Sequence, residues 1–191
     1  MRCVLSVLYC SLLALVLFCG CESSGLKTAA PAAGADKFPA FLAGTWQAQD
    51  SPWKIVLTPD GRVSSAIVSW EEEVRPNQTT EFEMLDGKIS HITAGDCIAE
   101  YRPAGRQLFV SIELKDIHIV FPADLLTGNS IDNFTGTVSE DGRTWNAEQI
   151  TVFDYGPSFP QTPDDVNYPQ PIVFNKVEEK AQVADSNAVG Q

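Results

Sequence analysis

The two histidines of the chain, His91 and His118, are the side chains best suited to metal chemistry, and Asp116 lies two positions before the second. On a regular strand Asp116 and His118 share one face, so a carboxylate and an imidazole would point the same way. A zinc site takes three or four ligands, and no Cys-x-x-Cys or His-Glu-x-x-His pattern supplies the remainder. We therefore interpret both histidines as hydrogen-bonded side chains and predict no metal site.

The 25 Asp and Glu residues could supply the paired carboxylates that carry out glycoside hydrolysis, but the sequence singles out no pair among them. Glu71-Glu72-Glu73 and Asp164-Asp165 are interpreted as solvated loop charge, since the spacing of an EF-hand calcium loop is absent around the second group. We predict no catalytic residue and no cofactor. A carboxylate-dependent hydrolase is therefore less favoured than a binding protein or a protein–protein interaction module.

The overall charge restricts the partners of the chain. With 13 basic and 25 acidic residues, the formal net charge is −12. A surface this acidic repels phosphate backbones and anionic headgroups. We predict no nucleic-acid partner, and we attribute the acidity mainly to solubility.

The N-terminus has the order of a signal peptide over residues 1–20, with Arg2 followed by an apolar run from Val4 to Phe18. The run is too short for a comfortable membrane span of about 20 residues. Leu17-Phe18-Cys19-Gly20-Cys21 resembles the bacterial lipobox. The resemblance implies that Cys21 becomes an acylated N-terminus carrying palmitate and that the membrane is reached through lipid. Ordinary secretion with cleavage elsewhere is the alternative.

Composition divides the rest of the chain into three parts. Residues 21–37 comprise the lipidated cysteine and a flexible Ala-, Ser-, Gly- and Pro-rich tether, residues 38–177 a folded domain, and residues 178–191 a disordered tail. Glu22 does not resemble the inner-membrane retention signal, so the lipobox resemblance implies an outer-membrane lipoprotein of the cell envelope, facing the periplasm or the surface. With Cys21 acylated, Cys97 has no disulfide partner and is interpreted as a small core residue.

Short apolar alternations separated by tight turns predict an all-β domain. Three Asp-Gly pairs begin at Asp60, Asp86 and Asp141, and Pro103-Ala104-Gly105 is a fourth turn. The predicted strands are 44–49, 53–59, 62–70, 79–85, 88–93, 97–102, 107–114, 116–121, 131–139, 143–154 and 172–177. Residues 38–42 could form one helical turn. The many short strands separated by regular turns favour a single antiparallel β-barrel, with a two-sheet sandwich as the alternative.

The apolar positions change parity beyond Leu114, from Leu108, Val110 and Ile112 before it to Ile117 and Ile119 after it. A one-residue change of parity turns the same strand face from the core to solvent unless the backbone compensates. The change therefore predicts a bulge or a tight turn at Lys115-Asp116.

Phe41-Leu42-Ala43-Gly44-Thr45-Trp46 resembles the opening of lipocalin-like proteins, where a helical turn leads to Gly-x-Trp at the start of the first strand. The resemblance implies a lipocalin-like barrel in which Trp46 closes one end and Gly44 lets the chain pass close to its neighbours. It also implies an internal cavity for a small apolar molecule.

Five prolines between Gly156 and Pro171 predict a long ordered loop that is no central strand. Trp70, Phe159 and Tyr168 are the aromatic side chains we expect to contact a ligand or partner. The favoured function is non-catalytic binding of a small, partly apolar ligand in the barrel. The alternative is an envelope protein–protein interaction module that uses the Pro-rich loop and the acidic surface.

Overall fold

The computed structural model describes residues 38–84, 86–157 and 159–178. Within them, ten strands form one antiparallel sheet that is nearly closed into a barrel. The predicted all-β barrel is confirmed, and the strands form one sheet instead of the two sheets of a sandwich. The predicted signal peptide, Cys21 and the tether lie outside the described residues, as does the predicted tail beyond Glu178.

The strands follow one another around the barrel in the order β4-β3-β2-β1-β10-β9-β8-β7-β6-β5. A 3-10 turn, Ala40–Leu42, precedes them as predicted for residues 38–42, and one short helix, α1, lies before the last strand. The bounds are β1 Gly44–Ala48, β2 Lys54–Leu57, β3 Val63–Ile67, β4 Glu73–Val74, β5 Thr79–Glu83, β6 Ile89–Arg102, β7 Gln107–Val120, β8 Leu125–Val138, β9 Thr144–Asp154, α1 Pro163–Asn167 and β10 Gln170–Lys176.

The first and last strands pair with each other, which leaves the seam of the barrel between β4 and β5. Two contacts bring the sides of this seam together. Arg62 forms an isolated antiparallel bridge with Ile98, and the hydroxyl of Thr80 on β5 donates to the carbonyl of Glu73 on β4 at 2.8 Å. Because closure removes most unpaired strand edges, the ladder between the described strands is incomplete mainly along this seam.

The three Asp-Gly pairs form the hairpin turns expected of them. They connect β2 to β3, β5 to β6 and β8 to β9, with φ of 78° at Gly61, 81° at Gly87 and 70° at Gly142. A glycine reaches this left-handed region without a steric penalty.

Two pairs of predicted strands are each one continuous strand. The predicted strands 88–93 and 97–102 together form β6, and 107–114 and 116–121 form β7. The predicted parity change is confirmed as a register irregularity between Leu114 and Ile117 within β7. A bulge keeps the strand running while it restores the apolar side chains to the interior.

Aromatic side chains fill much of the barrel interior. Five of them are at most 2 % exposed: Trp46, Trp53, Phe134, Trp145 and Phe174. Phe134 has its ring centroid 4.9 Å from that of Trp53 and 5.5 Å from that of Phe174. We call the end where β1 begins and β10 ends the Trp46 end. The opposite end, where β9 ends and β10 begins, is the α1 end.

Candidate functional site

The segment after β9 folds back over the α1 end. Pro163 occupies the first turn of α1, where the missing N–H is tolerated. The Asp165 carboxylate accepts hydrogen bonds from the backbone N–H of Thr162 at 2.6 Å and from its hydroxyl at 2.8 Å. These two bonds lower the pKa of Asp165. The loop prediction is thus corrected for residues 163–167, which are helical because this capping starts a turn.

The same prediction is corrected at its C-terminal boundary. The last strand begins at Gln170, so Pro171 lies in a strand. Its register partner is Glu148 of β9, and the pairing of β10 with β1 begins only at Phe174. Proline has no N–H to donate. It is tolerated there because β10 has no neighbouring strand on one side at this position.

A pocket of about 440 Å³ lies at the α1 end, between the barrel and α1. We call it the α1 pocket, and it mixes aromatic and polar walls. Alternate residues of β9 that face the interior supply one side, and α1 with the start of β10 supplies the other. The lining residues are Gln149, Thr151, Phe153, Asp164, Asp165, Tyr168 and Gln170.

A buried carboxylate supports one side of this pocket. Asp132 on β8 is only 5 % exposed and pairs in register with Thr151. Its Oδ1 accepts hydrogen bonds from Thr151 Oγ1 at 2.6 Å and from Gln149 Nε2 at 3.0 Å. Burial raises the pKa of Asp132, and the two hydrogen bonds only partly oppose that rise. A buried polar group of this kind is tolerated because it is hydrogen-bonded.

Further polar and aromatic groups adjoin Asp132. Ser130 lies buried on the same strand. Burial raises the pKa of Tyr155, and the Ser130 side chain only partly lowers it. The ring of Tyr155 stacks on that of Phe153, with centroids 4.5 Å apart. The interior is therefore apolar around Phe134 and becomes polar towards the α1 end.

The charge of the pocket has one sign. The described residues that line it include two aspartates and no Lys, Arg or His. Negative charge around a concave surface raises the local concentration of cations and opposes the entry of anions.

The three aromatic residues expected to contact a ligand are not brought together. Tyr168 lines the α1 pocket and is 64 % exposed. Trp70 is partly buried against the core, in the turn between β3 and β4. Phe159 is exposed on the loop before α1 and is not among the described lining residues.

The two residues of the lipocalin-like opening lie at the Trp46 end. Trp46 is completely buried, and its indole N–H donates to the carbonyl of Leu42 at 2.9 Å. Gly44 has a φ of 117°, and a Cβ added there would lie 3.2 Å from Cε of Lys176. Both positions are therefore sterically restricted.

The two histidines form a separate cluster on β6 and β7. His91 and His118 pair in register, with parallel rings whose centroids are 5.0 Å apart. His91 Nε2 lies 3.1 Å from Asp116 Oδ2. No group of three or more metal-ligating side chains with suitable geometry occurs in the part of the chain that the structure describes.

Cys97 lies on β6, half-buried against the core rather than fully buried. Burial raises the pKa of its thiol to about 11. A thiol that stays protonated at neutral pH is a poor nucleophile.

Sequence reasoning missed most of the pocket, although a usable signal exists. The apolar parity of β9 through Trp145 and Ala147 continues into Gln149 and Thr151. On β8, the inward-facing positions likewise pass from apolar Phe134 to polar Asp132. A polar residue at an inward position marks the level where a barrel interior becomes polar.

Comparison of the chain with models of known protein families, with curated proteins and with solved structures finds no match. Among residues 38–84, 86–157 and 159–178, no helix is long and apolar enough to span a membrane.

Proposed function

We propose that this protein is a membrane-tethered envelope lipoprotein that binds a small, partly apolar ligand without transforming it. The observation that carries the binding proposal is the α1 pocket, about 440 Å³ in volume. Binding pockets in proteins combine apolar walls with a few placed polar groups. Phe153 and Tyr168 supply the apolar surface, and Gln149 and Gln170 supply hydrogen-bonding groups.

We expect the ligand at the α1 end and not in the middle of the barrel. Phe134, with Trp53 and Phe174 packed against it, occupies the middle. The α1 pocket adjoins solvent through exposed residues such as Asp164 and Tyr168, so a ligand can reach it without opening the sheet.

A fragment screen tests the proposal. The ¹⁵N-labelled protein from residue 21, with Cys21→Ser to keep it soluble, is titrated with a library of small aromatic compounds. We expect the shifted amide signals to cluster around Gln149–Phe153 and Tyr168–Gln170. A library whose hits all fall elsewhere, or that gives none, contradicts the proposal.

A matched pair of variants sharpens this test. Phe153→Ala removes a wall of the pocket, and we expect it to weaken the hits about tenfold, as for a lost aromatic contact of about 1.4 kcal/mol. Ile150→Ala removes an apolar side chain of the same strand that has the opposite parity and lies outside the lining set. This control should bind like the unaltered protein.

The lipid anchor is the second part of the proposal, and the lipobox-like segment ending at Cys21 supports it. Acyl chains contribute about 0.8 kcal/mol per buried CH₂, so a multiply acylated cysteine holds a protein firmly on a membrane. The outer membrane is the proposed location, with the domain facing the periplasm or the surface.

A partner protein in the envelope is a second candidate function, favoured by two apolar side chains on the loop and α1. Phe159 is 37 % exposed and Val166 is 36 % exposed, and neither is among the pocket-lining residues. The double variant Phe159→Ser with Val166→Ser changes none of the residues that line the α1 pocket. If this variant loses its cross-linked partner proteins in whole cells but binds fragments as before, the protein–protein interaction is favoured over ligand binding.

A further inference from the structure

The hydrogen bonds around Asp132 use up the donors on one side of the α1 pocket. Gln149 Nε2 carries two N–H bonds. One reaches Asp132 Oδ1 at 3.0 Å, and the other reaches Thr151 Oγ1 at 3.2 Å. The single hydroxyl proton of Thr151 is directed to Asp132 Oδ1 at 2.6 Å.

This arrangement fixes which atoms remain for a ligand. An amide is planar, so when its NH₂ group faces Asp132 and Thr151, its Oε1 must face the other way. Gln149 Oε1 has no hydrogen-bond partner among the described residues. The part of the pocket formed by Gln149 and Thr151 therefore offers acceptors and no side-chain donor.

The opposite wall has the same bias. Gln170 directs one amide N–H to the carbonyl of Tyr168 at 3.2 Å. Asp164 and Asp165 add carboxylates, which only accept hydrogen bonds when ionised. The side-chain donors left in the lining are the Tyr168 hydroxyl and the second N–H of Gln170.

We propose that the α1 pocket selects ligands that donate hydrogen bonds, such as a primary ammonium group joined to an aromatic or apolar body. Gln149 Oε1 receives the donor, and Phe153 and Tyr168 contact the body. Asp132 is a positioning residue that acts through Gln149. The inference rests on the proposed function, because it names the ligand class of the same pocket.

The choice is sharp because a bound ligand shields the acceptor Gln149 Oε1 from water. A ligand that only accepts hydrogen bonds leaves Gln149 Oε1 desolvated and unpaired, which costs more than a lost contact. An anionic ligand also meets the negative charge of Asp164 and Asp165. A cationic donor ligand pairs with Gln149 Oε1 and is attracted by the carboxylates of Asp164 and Asp165.

Three probes of similar size test the inference on the protein used for the fragment screen. They are benzylammonium, which donates, benzoate, which accepts, and toluene, which does neither. We expect benzylammonium to shift the pocket signals with at least tenfold higher affinity than benzoate. Equal binding of benzylammonium and benzoate at the pocket overturns the inference and leaves the proposed function intact. If no probe and no fragment shifts the signals of the pocket residues, both the inference and the proposed binding function are overturned.

Two variants assign the selectivity to residues. Gln149→Leu keeps the size and removes the acceptor, so benzylammonium should lose about tenfold in affinity while toluene is unaffected. Asp132→Val frees the Gln149 amide to turn, so the ratio of benzylammonium to benzoate affinity should fall towards one. Glu148→Gln, an exposed neighbour on β9, should leave that ratio unchanged. An unchanged ratio in Gln149→Leu overturns the role of Gln149 even if Asp132→Val does not fold.

Discussion

Trp46 and Trp145 lie edge to face inside the Trp46 end, with ring centroids 6.3 Å apart and both side chains completely buried. Their indole N–H groups differ. Trp46 donates to the carbonyl of Leu42 at 2.9 Å, whereas Nε1 of Trp145 has no hydrogen-bond partner among the described residues. Two neighbouring tryptophans thus carry one satisfied and one unsatisfied buried donor.

The difference predicts unequal costs for the same substitution. Trp46→Phe and Trp145→Phe both reduce a buried indole to a phenyl ring, but only the first breaks a hydrogen bond, while the second removes an unpaired donor. An unsatisfied buried polar group costs about 1–3 kcal/mol. We expect Trp46→Phe to lower the free energy of unfolding by about 1–3 kcal/mol more than Trp145→Phe, measured by urea denaturation. Equal losses would argue against this account.

Asp132 predicts a pH dependence of stability with a defined sign. Its pKa in the folded protein is above the ordinary value of 3.8, because the carboxyl is buried. The folded state therefore holds this proton more tightly than the unfolded state, and stability falls as pH rises from about 4 through the raised pKa. Asp132→Asn keeps an acceptor oxygen for Thr151 and cannot ionise.

Urea denaturation of both proteins between pH 3.5 and pH 7 measures this effect. We expect the free energy of unfolding of Asp132→Asn to rise relative to that of the unaltered protein as pH increases. The exposed turn aspartates Asp60, Asp86 and Asp141 have lowered pKa values, and their effects cancel in the difference because both proteins contain them. If the free energy of unfolding of Asp132→Asn instead falls relative to that of the unaltered protein as pH increases, Asp132 is not held in the protonated form.

Local patterns explain which parts of the fold were predictable. The alternation from Leu108 to Leu114 and the Asp-Gly turns are encoded within a few residues, so strands and hairpins follow from them. Lys115-Asp116 is ambiguous, because the same two polar residues suit a turn or a bulge. The sequence therefore predicts the parity change but not the continuity of β7.

The pocket depends on distant pairings and was less predictable. Asp132 and Thr151 face each other only because β8 and β9 pair in one register. Asp132 is one of 25 acidic residues, and only that register places its carboxylate beside Thr151. Tyr168 can be chosen as a candidate because it is an aromatic residue of the Pro-rich loop, whereas nothing marks Gln149 without the strand pairing.

Cys97 should be unreactive in the folded protein. With a thiol pKa of about 11, raised by burial from 9.0, only about one molecule in a thousand carries the thiolate at pH 8, and the thiolate is the reactive form. In the protein from residue 21 with Cys21→Ser, we expect Ellman's reagent at pH 8 to label Cys97 about a hundredfold more slowly in buffer than in 6 M guanidinium. Rapid labelling in buffer would show that the interior near β6 opens readily.

The membrane anchor predicts different outcomes for two neighbouring cysteines. In the lipobox-like segment, Gly20 before Cys21 is the small residue that the resemblance requires, whereas bulky Phe18 precedes Cys19. Cys21→Ser should therefore release the protein from membranes and abolish labelling by an alkyne analogue of palmitate. Cys19→Ser, which leaves the acylated residue in place, should stay in the membrane fraction and keep the label. If Cys21→Ser stays bound and labelled while Cys19→Ser is released, then Cys21 is not the lipid site, and the tether begins two residues earlier than proposed.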